Sequence, residues 1–389
     1  MRKCDLLTPD ICIIGAGSGG LSVAAGAAQL GLDVVLLEKA EMGGDCLNRG
    51  CVPSKALLAA AKRAQAHRKG DIKGIAAHEP EIDFSAVKDY VFETIQTIEP
   101  HDSPERFRNL GVNVILEEGH FIDEERVQTS SYTIKARRYV IASGSRPFMP
   151  PIPGLDKNKV FTNENIFDLR DKPSHLLILG GGPIGMEMAQ SHRRLGCEVS
   201  VFDRSGIMPR DDQDNVEILR KVLLDEGVAL YEHVAVKEIR HGQEGCVSLV
   251  IEINGEQEVI EGSHMLIATG RTPNIEGLCL DKARVRFDAS GIIVNDRLKT
   301  SNKRISAIGD VVAGGPQFTH IAGYHAGIIV RQLCFGMFWV RVDYSALPWV
   351  TYTDPEIAQV GLTEETARLE HGGDVKVAQW KFEENDRAI

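Results

Sequence analysis

One pattern occurs twice in this chain and constrains its fold more than any other feature. Residues 11–38 and 176–203 each run as an apolar strand, a Gly-rich turn, a helix and a second strand closed by an acid. In the first copy Asp10-Ile-Cys-Ile-Ile enters Gly15-Ala-Gly17-Ser-Gly-Gly20, and Glu38 closes the unit. In the second, His175-Leu-Leu-Ile-Leu enters Gly180-Gly-Gly182-Pro183-Ile184-Gly185, and Asp203 stands in the place of Glu38. Such glycines permit a tight turn and close backbone approach, while the helix N-terminus offers unpaired amides and partial positive charge to a pyrophosphate. The acid then takes ribose hydroxyls. A lone glycine turn is as well explained by close helix–strand packing, but the full strand, turn, helix and acid context outweighs that reading. Two bound dinucleotides are therefore expected.

With 389 residues, 43% of them hydrophobic, the chain exceeds one core and divides into two or three domains. Its 38 glycines and 6% aromatics suit strand-to-helix turns rather than a β-sandwich. A net charge of −11 argues against nucleic acid as partner. Met1-Arg2-Lys3 opens like a signal sequence, but Asp5, Pro9 and Asp10 interrupt it. No stretch has the uncharged length of a membrane helix, and the nearest, 328–340, contains Arg331. No membrane partner and a cytoplasmic location are expected.

Between the copies lie helical stretches at 56–66 and 84–98, a β-patterned stretch at 112–141, and a Pro-rich connector at 147–153. After Ile267-Ala-Thr-Gly270-Arg271-Thr-Pro273, a strand-rich segment to Asp310 is expected to return the chain to the first domain. A last segment opens at Pro348.

Among eight cysteines, two invite chemistry: Gly43-Gly44-Asp45-Cys46-Leu-Asn-Arg-Gly-Cys51-Val-Pro-Ser-Lys55. Four residues separate them. A helix beginning near Cys46 would set both sulfurs on adjacent turns, where its N-terminus stabilises a thiolate and makes a reversible disulfide feasible. Tetrahedral zinc wants further ligands, and none clusters nearby before His67, so no metal is expected.

At these residues the chain resembles the flavin-dependent pyridine nucleotide–disulfide oxidoreductases, the family of dihydrolipoamide dehydrogenase, glutathione reductase and mercuric reductase. The matches fall in order: Gly15 to Gly20 with Glu38, the Cys46–Lys55 block, Ala142-Ser143-Gly144, Gly180 to Glu187, Ala268-Thr-Gly270-Arg271 and Ile308-Gly-Asp310. The stretches at 163–168 and 318–327 are most similar to mercuric reductase-like members. Mercury reduction itself is not expected, since such an enzyme adds a C-terminal vicinal cysteine pair and often an N-terminal metal-binding module.

The resemblance implies an α/β fold of two Rossmann-like three-layer domains, for FAD and NAD(P), with the FAD domain discontinuous and the start of an α+β interface domain. It divides the chain into 1–150 (FAD, first part), 151–272 (NAD(P)), 273–345 (FAD, return) and 346–389 (interface). The family's interface domain builds a homodimer and supplies a His–Glu base near its C-terminus. Here that domain is expected to be only begun, with the base missing, so dimerisation and full activity are in doubt. His320 and His325 are read as packing rather than as substitutes.

FAD is assigned by the resemblance to the first repeat, with Glu38 on the adenosine ribose and Asp310 on the ribityl chain; Lys39, Gly44, Asp45, Gly119, Ser143, Gly144 and Phe318 join that expectation. The nicotinamide nucleotide is assigned to the second repeat, with Pro183, Ile184, Arg204, Val236, Gly270 and Arg271. Asp203 repels a 2′-phosphate and favours NAD(H) over NADP(H), although Arg204 and Arg210 stand close by. Cys51 is implied as the flavin-facing sulfur and Cys46 as the interchange thiol. Lys55 is implied beside flavin N5, paired with Glu187, where the pair tunes the flavin's charge. Isolated helix lysines are ordinarily solvated; the position four residues after Cys51 sets this one apart. Electrons would pass from NADH through the flavin to the disulfide and on to a small-molecule disulfide or similar acceptor. Two other readings stand beside it: a simple diaphorase with idle cysteines, and a nucleotide-binding remnant without chemistry.

Overall fold

The computed structural model describes residues 5–70, 73–242, 246–253 and 255–388. Met1-Arg2-Lys3 and Ile389 lie outside the described residues. The first repeat and the stretch after it supply β1 (Ile11–Ile14), α1 (Ser18–Gln29), β2 (Val34–Leu37), α2 (Gly44–Asn48), α3 (Cys51–Lys69), α4 (Phe84–Ile98), β3 (Val112–Ile115) and β4 (Arg138–Ile141). The second supplies β5 (His175–Leu179), α5 (Pro183–Arg194), β6 (Glu198–Asp203), β7 (Ala229–Glu232) and β8 (His264–Ile267). The chain then gives β9 (Ile305–Ala307), α6 (Thr319–Phe335), β10 (Pro348–Thr351) and β11 (Ile357–Val360).

Five strands form a parallel sheet in the order β9-β4-β1-β2-β3. Ile11 and Ile13 face a core built with α1 and α6, while Cys12 and Ile14 face the opposite core with Phe121, Tyr139 and Ile292. Burial on both faces is why β1 reads as an unbroken apolar run rather than an alternating one. The return of β9 to β4 makes this sheet out of two distant stretches of sequence.

A second parallel sheet runs β7-β6-β5-β8. Leu176 and Ile178 pack towards α5, and Leu177 and Leu179 pack towards an antiparallel layer of Ala235–His241, Val247–Ile253 and Glu256–Gly262. Where the chain crosses between the sheets, Ser145–Pro147 pairs antiparallel with Arg271–Pro273. Strands β10 and β11 form a short hairpin ladder of their own.

One sequence expectation is corrected here. A single helix does not begin near Cys46: α2 stops at Asn48 and α3 starts afresh at Cys51. Gly50 makes the break, because a Cβ there would lie 2.9 Å from the Asp45 carbonyl oxygen, an approach only glycine allows. Cys51 thereby becomes the first residue of its own helix. Among the described residues no helix is long and apolar enough to cross a membrane.

Candidate active site

Restarting the helix at Cys51 puts its sulfur at the N-terminus of the 19-residue α3. The 17-residue α6 delivers a second N-terminus to the same point, since its first residue, Thr319, holds Oγ1 3.2 Å from Cys51 Sγ. Two helix dipoles and a hydroxyl therefore favour negative charge on this sulfur. Both cysteines are free thiols in this structure. Donation from Cys46 is the chief cause that pulls Cys51 down to about 6, with Thr319 and the Lys55 charge assisting against burial. The same bond, with burial, drives Cys46 far upward, so Cys46 keeps its proton.

Lys55 stands one turn further along α3. Its Nζ lies 2.9 and 3.1 Å from the two carboxylate oxygens of Glu187, on α5, and 3.2 Å from Ser54 Oγ. It also sits 4.4 Å above the Tyr352 ring. Glu187 is buried and takes a further bond from the Tyr352 backbone N–H, at 3.0 Å. The ion pair thus joins the helix of the cysteines to the helix of the second repeat.

The two repeats fold to matching cradles. A Cβ on Gly20 would stand 1.9 Å from the Gly15 carbonyl oxygen, and one on Gly185 would stand 1.9 Å from that of Gly180. Around Gly182 there is open space. Neither α1 nor α5 carries a side-chain cap or an acid in its first turn, so their leading amides point outward unspent. Glu38 accepts from Ala16 N–H at 2.7 Å and Ala40 N–H at 2.8 Å. Asp203 does the same with Gly181 N–H at 2.7 Å and Ser205 N–H at 2.6 Å. Free amides, a glycine-lined approach and an oriented acid are the donor set a dinucleotide requires, and the residues present fit one in each repeat.

Near Cys46, Arg271 connects several expected residues. Its guanidinium donates to Ser145 Oγ at 2.7 Å, lies 3.0 Å from Asp45 and 3.8 Å from Asp310. Arg271, expected at a cofactor, thus lies against residues of the first nucleotide unit. Burial raises the Asp310 carboxyl, opposed by the bond from Ser145 Oγ at 2.7 Å. Asn163 Nδ2 donates to Asp45 at 2.9 Å.

The other expected residues are more dispersed. Lys39 pairs with Glu118 at 3.5 Å on the surface, and Gly119 lies against Leu37. Ser143 donates to the Asn274 carbonyl at 2.8 Å, and Gly144 takes a left-handed turn. Gly17 and Gly44 approach so closely that a Cβ on Gly44 would be 2.7 Å from Gly17 Cα. Phe318 precedes α6 and stacks on His320. Pro183 and Ile184 form the first turn of α5, and Gly270 is the left-handed residue before Arg271. Val236 packs on the core below the antiparallel layer. Arg204 makes no ion pair among the described residues.

Sequence reasoning passed over Thr319, Ser145, Asn163 and Tyr352. Thr319 and Ser145 adjoin the named residues Phe318 and Gly144, and Asn163 opens the stretch 163–168, but none of the four carries a local mark of its partner. Among the described residues no group of three His, Cys, Asp or Glu gathers as a metal site.

A thiol pair at two helix N-termini, tied by a Lys–Glu pair to the second of two matching glycine cradles, is a set suited to redox chemistry linked to bound dinucleotides. The chain belongs to the pyridine nucleotide-disulphide oxidoreductases: that family's model matches residues 9–326, and the model of its dimerisation domain matches residues 347–389. Among its relatives, a mercuric reductase of Lysinibacillus sphaericus is 34% identical over 383 residues, covering 98% of this chain and 69% of that one. A dihydrolipoyl dehydrogenase of Geobacillus stearothermophilus is 32% identical, covering 97% and 80%. The HOCl-induced flavoprotein disulfide reductase RclA from Escherichia coli superposes with a TM-score of 0.82 at 28% identity, covering 97% of this chain and 83% of that one. The chain is accordingly an FAD-dependent, NAD(P)H-linked enzyme of the disulfide oxidoreductase type.

Proposed function

We propose that this chain carries electrons from NADH to a small-molecule disulfide or similar acceptor through a couple formed by Cys46 and Cys51. The observation that carries the reading is the setting of Cys51, first residue of α3, with Thr319 Oγ1 3.2 Å from its sulfur and the Lys55–Glu187 pair one turn along the same helix. Bound FAD supplies two-electron exchange between a nicotinamide and a dithiol. The chain's own residues do the rest. Cys51 holds negative charge beside the Lys55–Glu187 pair, and Cys46, protonated, is the sulfur left to meet the acceptor once its proton is removed.

Gly15, Gly17, Gly20, Glu38 and the Asp310 group are proposed to hold FAD, with Lys39, Gly119, Ser143, Gly144 and Phe318 around it. Gly180, Gly182, Gly185 and Asp203 are proposed to hold the nicotinamide nucleotide. Asp203 points its carboxylate at its own turn, where a 2′-phosphate would meet like charge, which favours NADH. The proposed division is 1–150 with 273–345 for FAD, 151–272 for the nicotinamide nucleotide, and 346–389 for the interface. The pairing of β9 with β4 and the crossing ladder at Ser145–Pro147 and Arg271–Pro273 support it. The dimerisation-domain match supports a homodimer, and a reducing compartment, the cytoplasm, suits a couple that must be re-reduced.

The decisive experiment is anaerobic reduction of FAD-loaded protein by one equivalent of NADH. A long-wavelength thiolate-to-flavin absorbance band is expected, abolished in Cys51→Ser; in Cys46→Ala, which has no disulfide to take the electrons, the band should be present before NADH is added and bleached by it. Acceptor turnover unchanged by Cys46→Ala would overturn the reading and favour a diaphorase.

A further inference from the structure

The buried face of α6 is apolar except at two positions, His325 and Gln332. His325 is only 1% exposed, and both of its ring nitrogens are engaged. Nδ1 faces the backbone N–H of Gly309 at 3.1 Å. An N–H only donates, so Nδ1 must accept and the ring's proton must sit on Nε2. That Nε2–H is directed at the Tyr344 hydroxyl, 2.7 Å away, which accepts it. Burial holds the ring neutral by lowering it to about 4, consistent with a tautomer fixed by its two partners.

The residues at either end give the arrangement its meaning. Gly309 is the left-handed residue (φ 71°) immediately before Asp310. Its turn rests directly on α6: a Cβ there would be 3.1 Å from that of Ala322. Ser145 holds the Asp310 carboxylate from one side, and the bond to Gly309 fixes the backbone from the other. Tyr344 belongs to the connector between α6 and β10, the strand that opens the dimerisation-domain match. One residue away, the Tyr324 hydroxyl accepts from Asp343 N–H at 2.9 Å, a second tie between the same helix and the same connector.

We propose that His325 is a positioning residue that sets the Gly309–Asp310 turn for the flavin nucleotide and, through Tyr344, couples that turn to the connector leading into the dimerisation segment. The inference rests on the reading of Asp310 as an FAD ligand. In it, loosening the connector weakens FAD binding at a distance, and FAD binding in turn stiffens the connector.

The test is FAD affinity, measured by flavin fluorescence on the full chain stripped of flavin, beside the thermal midpoint of the stripped protein. His325→Leu leaves the Gly309 amide buried and unpaired, and is expected to weaken FAD binding roughly tenfold. His325→Asn places an amide oxygen where Nδ1 stands and should recover affinity to within about threefold of wild type. Tyr344→Phe, losing the outer bond alone, should also weaken binding by about threefold. Ser200→Ala serves as control: it removes a buried hydroxyl of β6 in the second sheet, 2.9 Å from His175 Nε2 and remote from α6 and its connector, and should lower the midpoint without changing FAD affinity. FAD binding by the His325 and Tyr344 variants at wild-type strength, with Asp310→Asn impaired, overturns the inference and leaves the flavin site standing. Wild-type affinity in Asp310→Asn would instead remove the reading beneath it. Should His325→Leu fail to fold, His325→Asn and Tyr344→Phe decide the matter, and wild-type affinity in both overturns it.

Discussion

At the scale of single residues, the question is which sulfur carries the charge. Cys46 gives its hydrogen to Cys51, Thr319 adds a second donor, and Lys55 adds a field, so the thiolate belongs to Cys51. Its value of about 6 lies below the usual thiol range, which means charge is present at neutral pH and lost as pH falls through about 6. The thiolate band of two-electron-reduced protein should therefore fade on acidification with a midpoint near that pH. In Thr319→Val the midpoint should rise by about one pH unit, the worth of one hydrogen bond to a charged group, and Thr319→Ser should restore it. An absorbance titration under argon reads this directly, and a midpoint at the ordinary thiol value would contradict the arrangement. Cys46 and Cys51 stand out in the sequence as a closely spaced pair, whereas the role expected of Lys55 comes only from the resemblance of the block that holds all three. Thr319 is not legible there, because 268 residues separate it from Cys51 and a hydroxyl in a helix start carries no signature of its target.

Among elements, the same strand–turn–helix is built twice and tuned at its glycines. Both Gly20 and Gly185 lie where a methyl group would penetrate a carbonyl oxygen of their own turn, at 1.9 Å, so alanine must displace the helix from the strand. Because the two turns are separate, the damage should be separable. Gly185→Ala is expected to raise the KM for NADH at least tenfold, through a cradle shifted by a fraction of an ångström, while leaving FAD content intact. Gly20→Ala should instead yield protein deficient in FAD. Steady-state kinetics and the flavin-to-protein absorbance ratio distinguish the two, and loss of FAD in Gly185→Ala would contradict independent cradles. The repeat is visible from sequence because apolar runs and glycine turns are local. The break between α2 and α3 is not, because it depends on Gly50 meeting the Asp45 carbonyl, a contact that exists only after the turn has formed.

For the molecule as a whole, the last segment is fastened to the second nucleotide unit by Ile357, buried in that unit's core, and by a set of polar bonds. Asp354 exchanges two hydrogen bonds with Gln190, at 2.7 and 2.9 Å, and Trp349 donates to the buried Asp211 at 2.9 Å. Arg194, 3% exposed, sits between Glu226 at 2.6 Å and Asp354 at 2.9 Å. Nothing in the sequence near Arg194 announces this, since its partners lie 32 and 160 residues away. The fastening reaches the active site, for the strand it anchors continues into Tyr352, whose N–H and ring steady Glu187 and Lys55. Arg194→Met would strand the carboxylate of Glu226 in the interior, a loss of about 3–5 kcal/mol, of which Glu226→Gln in the same chain should return a large part. Calorimetry should show the lowered midpoint, and limited proteolysis should show the segment after Pro348 cut sooner. If the segment braces the Lys55–Glu187 pair, the single variant should also be reduced by NADH more slowly at saturating nucleotide. Because the double variant still lacks the bond to Asp354, its stability should recover further than its rate. Parallel recovery of both would mean that the buried ion pair acts only on stability and that the segment does not act on the site.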